Sequence, residues 1–179
     1  AQDPRAVAST PPVGMHDHMQ GRDDAPLTLV QYVDHECPYT RKSVPIVHGL
    51  QRELGPRLRF VSRHFPLTAI HPHALHAAEA AEAAAAHSRF WPMHDALFAH
   101  QHELEDSQLV DHARAVGLEV EQFERELAGH VHLNRIQADV QSGLASGVQG
   151  TPTFFINGAR HAGPYDLATL LAALRGEHK

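Results

Sequence analysis

Two stretches of this chain are patterned as buried strands, and a single helix-length segment separates them. Leu27–Val33 is rich in β-branched and aromatic residues and is bounded by Asp24–Pro26 and by Asp34, which predicts a strand. Leu58–Phe65 alternates and stops at Pro66, which predicts a second. Between them, Pro38–Leu54 places Val44, Val47, Leu50 and Leu54 at helical spacing and closes at Gly55–Pro56. Pro45 lies inside that helix, where proline removes one ladder donor and favours a kink. Strand, helix and strand in this order make a βαβ unit with parallel strands, so the chain belongs to the α/β class.

From residue 71 to residue 147 the pattern turns helical throughout. His73–His87 is Ala-rich and carries Glu79 and Glu82, a strong helix former. Arg89–Gln101, Ser107–Val116, Val120–Ala128 and Val131–Ala145 follow, several of them closed by glycine. So long a helical stretch exceeds an ordinary crossover and reads as an all-helical lobe inserted into the α/β domain. Thr153–Ile156 then predicts a strand, Asn157–Gly158 a hairpin turn and Ala159–Ala162 the returning strand. Asp166 is placed to cap a last helix, Leu167–Leu174. The expected organisation is a polar, poorly ordered tail over residues 1–20, an α/β domain over 21–70 and 148–179, and the inserted lobe over 71–147.

At 179 residues the chain is long enough to bury a sizeable core. Its net charge is −6 with histidine neutral, and no basic block suggests nucleic-acid binding. Its longest uncharged apolar stretch, Leu167–Leu174, falls far short of the ~20 residues that span a bilayer. There is one cysteine, Cys37, so an internal disulfide is excluded.

Cys37 sits where the first strand meets the first helix, directly before Pro38, a preferred first-turn residue. A sulfur at such an N-cap faces unpaired backbone N–H groups and the positive end of the helix dipole, which favours the nucleophilic thiolate. Thr40, three residues on, is spaced to meet the sulfur as in a capping box and to donate its hydroxyl. Glu36 opposes the thiolate, and His35, Arg41 and Lys42 offset it. The plainer alternative is a buried, inert thiol, the usual fate of a lone cysteine. Its place beyond the strand end, among polar residues, favours the reactive reading. The 17 histidines fit surface and helix-end positions better than a metal site, so no metal is expected; His71, His73 and His76 are the first place to look for one.

The stretch Tyr32–Thr40, containing Cys37-Pro38-Tyr39-Thr40, and the stretch Gly150–Gly158, opening Gly150-Thr151-Pro152, together resemble the DsbA-like branch of the thioredoxin superfamily. Arg63–Leu67, His71–Ala74, Ala77–Ala83 and Phe90–Phe98 resemble it too, in order, over residues 21–174. The resemblance implies a thioredoxin-like fold with a helical insertion and thiol–disulfide oxidoreductase activity. It gives Cys37 the part of the attacking cysteine and Pro152 that of a proline after a cis bond. Thr151 and Pro152, with Pro38 and Tyr39, would form the surface that receives an extended substrate.

The departure from the family is Thr40, which stands where a second, resolving cysteine is usual. A single sulfur can attack a disulfide but cannot clear the mixed disulfide by itself. Three chemistries remain open: exchange with glutathione or another small thiol as co-substrate, shuffling of existing disulfides, and oxidation to sulfenic acid. An engineered trap would also carry such a replacement. Other readings of the same fold are a redox-silent binding module for a peptide or small ligand, and a glutathione-conjugate enzyme. The expected partners are protein or small-molecule thiols and disulfides, with no nucleic acid, no membrane insertion and no resident cofactor. The family includes bacterial cytoplasmic and envelope proteins, with the cytoplasm slightly favoured here.

Overall fold

A computed structural model describes residues 9–176. In chain order the elements are β1 (His18–Gln20), β2 (Leu27–Val33), α1 (Pro38–Leu54), β3 (Leu58–His64), α2 (Ala74–Ala85), α3 (Phe90–Ala99), α4 (Asp106–Ala115), α5 (Val120–Ala128), α6 (Leu133–Ala145), β4 (Thr153–Ile156), β5 (Ala159–Arg160) and α7 (Leu167–Leu174). The strands form one five-stranded sheet in the order β1-β3-β2-β4-β5. The central β2–β3 pair is parallel, in register from Leu27 against Leu58 to Val33 against His64. All other pairs are antiparallel.

The alternation along the strands divides the core in two. Leu29, Phe60 and Phe154 point to one face, where Val47, Leu50 and Leu54 of α1 and Leu170 and Leu174 of α7 cover them. Val30, Tyr32, Val61 and Phe155 point to the other face and pack with Phe65 and Val148, with Val140 of α6 against them. The helices between β3 and β4 build a separate core. There Ala77, Ala80, Ala81 and Ala84 of α2 meet Met93, Leu97, Leu109 and Phe123. Methyl side chains let α2 approach its neighbours closely, which explains the alanine run. Trp91 joins this core to the sheet, packing on both and donating its Nε1–H to the Met19 carbonyl at 3.2 Å.

Residues 9–20 are not the loose tail that their polarity and prolines suggested; residues 1–8 of that stretch lie outside the described part. The cause is Arg63, whose guanidinium is buried on β3 and must be satisfied by acceptors. It donates to Asp17 at 2.9 and 3.0 Å, to the Thr10 hydroxyl at 2.8 Å and to the Pro11 and Pro12 carbonyls. Burial alone would raise the Asp17 carboxyl, but the bonds from Arg63 and from the Gly14 amide outweigh it and hold it below its ordinary value. Anchored in this way, His18–Gln20 adds to the open edge of β3 as β1.

Candidate functional site

The turn between β2 and α1 carries Cys37, and nearly every polar group of that turn is tied down. Asp34, buried at the end of β2, accepts from the amides of Glu36 at 2.7 Å and Leu67 at 2.9 Å and pairs with His71 at 2.7 Å. Its own carbonyl accepts from the Cys37 amide at 3.1 Å. Gln101, just after α3, donates Nε2–H groups to the carbonyls of His35 and Cys37, at 3.0 and 2.9 Å. Glu36 accepts from the backbone and ring of His73, at 2.9 and 2.8 Å, so its charge is engaged at the entry to α2.

Cys37 is the N-cap of α1, with Pro38 at the first helical position. Its thiol donates to the Thr151 carbonyl at 3.5 Å, across from α1, and the Thr151–Pro152 peptide is cis. Cys37, Thr151 and Pro152 are therefore brought together from distant parts of the chain. Pro38 and Tyr39 are exposed beside them, Tyr39 at 60%, with the Lys42 ammonium 5.7 Å from its ring centre. A cleft of about 350 Å3 opens next to Pro152, lined also by Phe154, Arg160, His161 and Tyr165.

Two local expectations fail. The Thr40 hydroxyl was expected to bond the sulfur, but its buried Oγ1 has no partner, and Cys37 makes no side-chain capping bond. The sulfur is turned to the Thr151 carbonyl instead. Cys37 is also more covered than a freely reactive thiol, with 3% of its surface exposed. Its surroundings are nevertheless not hydrocarbon. Its thiol meets the Thr151 carbonyl there; separately, the hydroxyl oxygens of Thr40 and Thr151 are buried without a partner.

Sequence reasoning missed three contributors. Gln101 and Tyr165 carry no motif. Tyr165 stands near the thiol, and burial first, then Cys37 and Tyr39, hold its phenol above the ordinary value. The third is an imidazole pair behind the turn. His35 Nε2 lies 3.1 Å from His94 Nδ1, and both rings are buried among Phe90, Trp91 and Phe98. Burial, then neighbouring histidines, push His94 down to about 3 and His35 well below the usual histidine value. The histidines expected at surfaces are thus in part buried and paired, and His71, His73 and His76 go to three separate carboxylates.

A cysteine at a helix N-terminus, facing a cis-proline loop at the edge of a mixed five-stranded sheet, defines the thioredoxin class of fold. A thioredoxin family model matches residues 14–175, and the chain belongs to that thioredoxin family. BdbD from Bacillus subtilis, in its oxidised form, superposes with a TM-score of 0.83 at 21% identity, covering 96% of this chain and 97% of that one. A thioredoxin-like oxidoreductase from Silicibacter pomeroyi superposes with a TM-score of 0.77 at 26% identity, covering 91% and 92%. The Na+/H+ antiporter NhaA 3 of Salinispora tropica is 47% identical over 158 residues, which are 88% of this chain and 24% of that protein. The chain spans about a quarter of the length of the curated relatives it matches. Among the described residues no helix is long and apolar enough to cross a membrane.

Proposed function

We propose that the protein exchanges disulfides through Cys37 alone, with a small thiol such as glutathione completing the cycle. The observation that carries this reading is the placement of one sulfur at the N-cap of α1, 3.5 Å from the Thr151 carbonyl, with threonine at the next inward-facing position. The Cys37 thiolate attacks one sulfur of a substrate disulfide. The new S–S bond forms as the old one breaks, and the other substrate sulfur leaves as thiolate. A second thiol, as its thiolate, then attacks the Cys37 sulfur of the mixed disulfide. It forms a disulfide with Cys37 and releases the substrate as a thiolate. One further thiol regenerates free Cys37 and leaves as a small-molecule disulfide. No step uses a sulfur at Thr40.

The surface that would receive a substrate consists of Thr151 and Pro152 with Pro38 and Tyr39, and the cleft beyond Pro152 is sized for a small thiol. Arg160 in its lining suits a carboxylate. The low exposure of Cys37 favours slender reagents over bulky ones. It also supports a second reading, a redox-silent module that binds an extended peptide over the same surface.

The test is the intact mass after exposure to oxidised glutathione. One added glutathione, lost in Cys37→Ser, is the expected result. A chain that takes none, and still binds a peptide equally well as Cys37→Ser, would establish the second reading. Thr40→Cys should in addition create dithiol reductase activity toward a protein disulfide, because the side chain it replaces is buried beside the first turn with its hydroxyl unpartnered.

A further inference from the structure

Far from Cys37, the helices between β3 and β4 hold a second group of side chains whose arrangement no thiol chemistry uses. His76 and Glu79 lie one turn apart on α2, and His130 follows the end of α5. Their ligand-type atoms all lie within 4.8 Å of one another. The Glu79 carboxylate is 2% exposed. Its Oε1 pairs with His130 Nδ1 at 2.8 Å, while its Oε2 is buried with no hydrogen-bond partner. His76 Nε2 stands 3.9 Å from that unpartnered oxygen, too far for a hydrogen bond. On the other side of the ring, His76 Nδ1 meets the Asp106 carboxylate at 2.7 Å. The group opens into a cleft of about 560 Å3 also lined by Glu124, Val110 and Leu127.

We propose that His76, Glu79 and His130 form a binding site for a divalent ion of the zinc class. The donor set, two imidazoles and one carboxylate, is that of three-ligand zinc sites, which leave a fourth position open. Donors on a tetrahedral ion with bonds of about 2.0–2.1 Å stand roughly 3.3 Å apart, between the two separations found here. Asp106 holds Nδ1–H of His76 and so leaves Nε2 as the free lone pair. This is the carboxylate–histidine–metal arrangement that orients a ligand imidazole. A cation would also neutralise a buried carboxylate oxygen that nothing else satisfies. An open fourth position would be served by the cleft that His76 and His130 line with Glu124.

A second cluster, His18, His64 and Glu82, has the same residue types but lacks these features. Glu82 Oε2 already pairs with both imidazoles, at 2.5 and 2.9 Å, and Arg135 lies 3.8 Å from Oε1. Its oxygens are compensated by protein groups, and His64 is almost wholly buried. At the proposed site the His76 and His130 side chains are 37% and 48% exposed, so an ion can enter.

The experiment uses the full chain without an affinity tag, in a Cys37→Ser background so that no thiolate competes. After chelator treatment, ZnCl2 is titrated by calorimetry at pH 7. One saturable site is expected. His76→Ala and His130→Ala should each weaken it by more than tenfold. Asp106→Asn should weaken it by about 10–100-fold, as for removal of an outer partner, and His18→Ala should leave it unchanged. Both ligand variants lie at the rim of the cleft, so each should fold; circular dichroism and a thermal melt establish that. Co2+ in place of Zn2+ should give the visible absorption of a tetrahedral site, lost in the same variants. No saturable binding, or binding that survives His76→Ala and His130→Ala, or loss that follows His18→Ala instead, would overturn the assignment.

Discussion

Mild acid should destabilise this protein well before its carboxylates titrate. The cause is the buried pair His35 and His94, both held in the neutral form. A histidine whose folded-state value lies below its unfolded value binds fewer protons when folded. Its contribution to stability is therefore complete above the ordinary value near 6.5 and is lost as the pH falls toward the folded value. For His94 that window runs from about 6.5 down to about 3. Each such histidine withdraws about 1.4 kcal/mol per pH unit inside the window, hence about 2 kcal/mol between pH 6.5 and 5. His35, held down by burial and by His94 itself, acts in the same direction, and the His94 contribution alone is a sizeable part of the ~5–15 kcal/mol that holds a domain folded. Glu82 and Asp17, both held below the ordinary carboxylate value, act in the same direction but only in the carboxylate range. Asp95, raised by burial, opposes them there. The assay is urea unfolding at pH 7, 6 and 5, followed by the fluorescence of Trp91, the single tryptophan, whose ring centre is 5.1 Å from that of His94. The midpoint should fall by about 1 M or more across that range for a slope near 2 kcal/mol/M. In His94→Phe, which keeps a ring against Phe90 and Phe98, the pH dependence should be clearly diminished. A midpoint that is flat from pH 7 to 5, or an undiminished dependence in His94→Phe, would refute the argument.

Two further changes test how the site and the sheet are held. Gln101→Leu removes both hydrogen bonds to the turn and leaves two buried carbonyls short of a donor; about 2–4 kcal/mol of stability should be lost, with a changed alkylation rate at Cys37, and an unaltered rate in a folded variant would show that Gln101 does not position the thiol. Gly143→Ala places a Cβ 2.8 and 2.9 Å from the Phe65 ring and 3.1 Å from Tyr32; overpacking of about 1–3 kcal/mol should exceed the gain of about 1 kcal/mol in helix propensity and lower Tm by a few degrees, so a raised Tm would contradict the packing.

What the sequence made legible was what local pattern controls. β2, α1 and α5 begin and end where strand pattern, Pro38 and Gly129 placed them. Asp166 caps α7, accepting from the Thr169 amide. One boundary moved: α6 starts at Leu133 rather than Val131, after a turn that opens with His130 in a left-handed conformation (φ 51°). β1 is three residues without apolar alternation. It exists because Arg63, some 50 residues away, orders the segment leading into it. Of the site, Cys37, Pro38, Tyr39, Thr151 and Pro152 could be read from spacing and resemblance. Gln101, Tyr165 and His94 could not, because their roles arise only when the helices between β3 and β4 fold back on the turn. The pair His76 and Glu79 did carry a local signal, two potential ligands three apart on one helix, but a search for paired histidines passes over it.

The helices between β3 and β4 do more than enlarge the core. Every residue of the turn Asp34–Cys37 is bonded to them or to the segment leading into them. Asp34 is held by His71, His35 by His94 and Gln101, Glu36 by His73, and the Cys37 carbonyl by Gln101. Buried polar groups must be satisfied somewhere, and an incomplete network costs more than none. Without these partners the turn would hold buried carbonyls lacking their donors and two carboxylates lacking their imidazoles, and nothing would fix the sulfur against the Thr151 carbonyl. The separate hydrophobic core of the helices between β3 and β4 suggests an independent unit, but the polar bonds at Cys37 do not. The geometry of the single thiol is a property of both parts of the chain together.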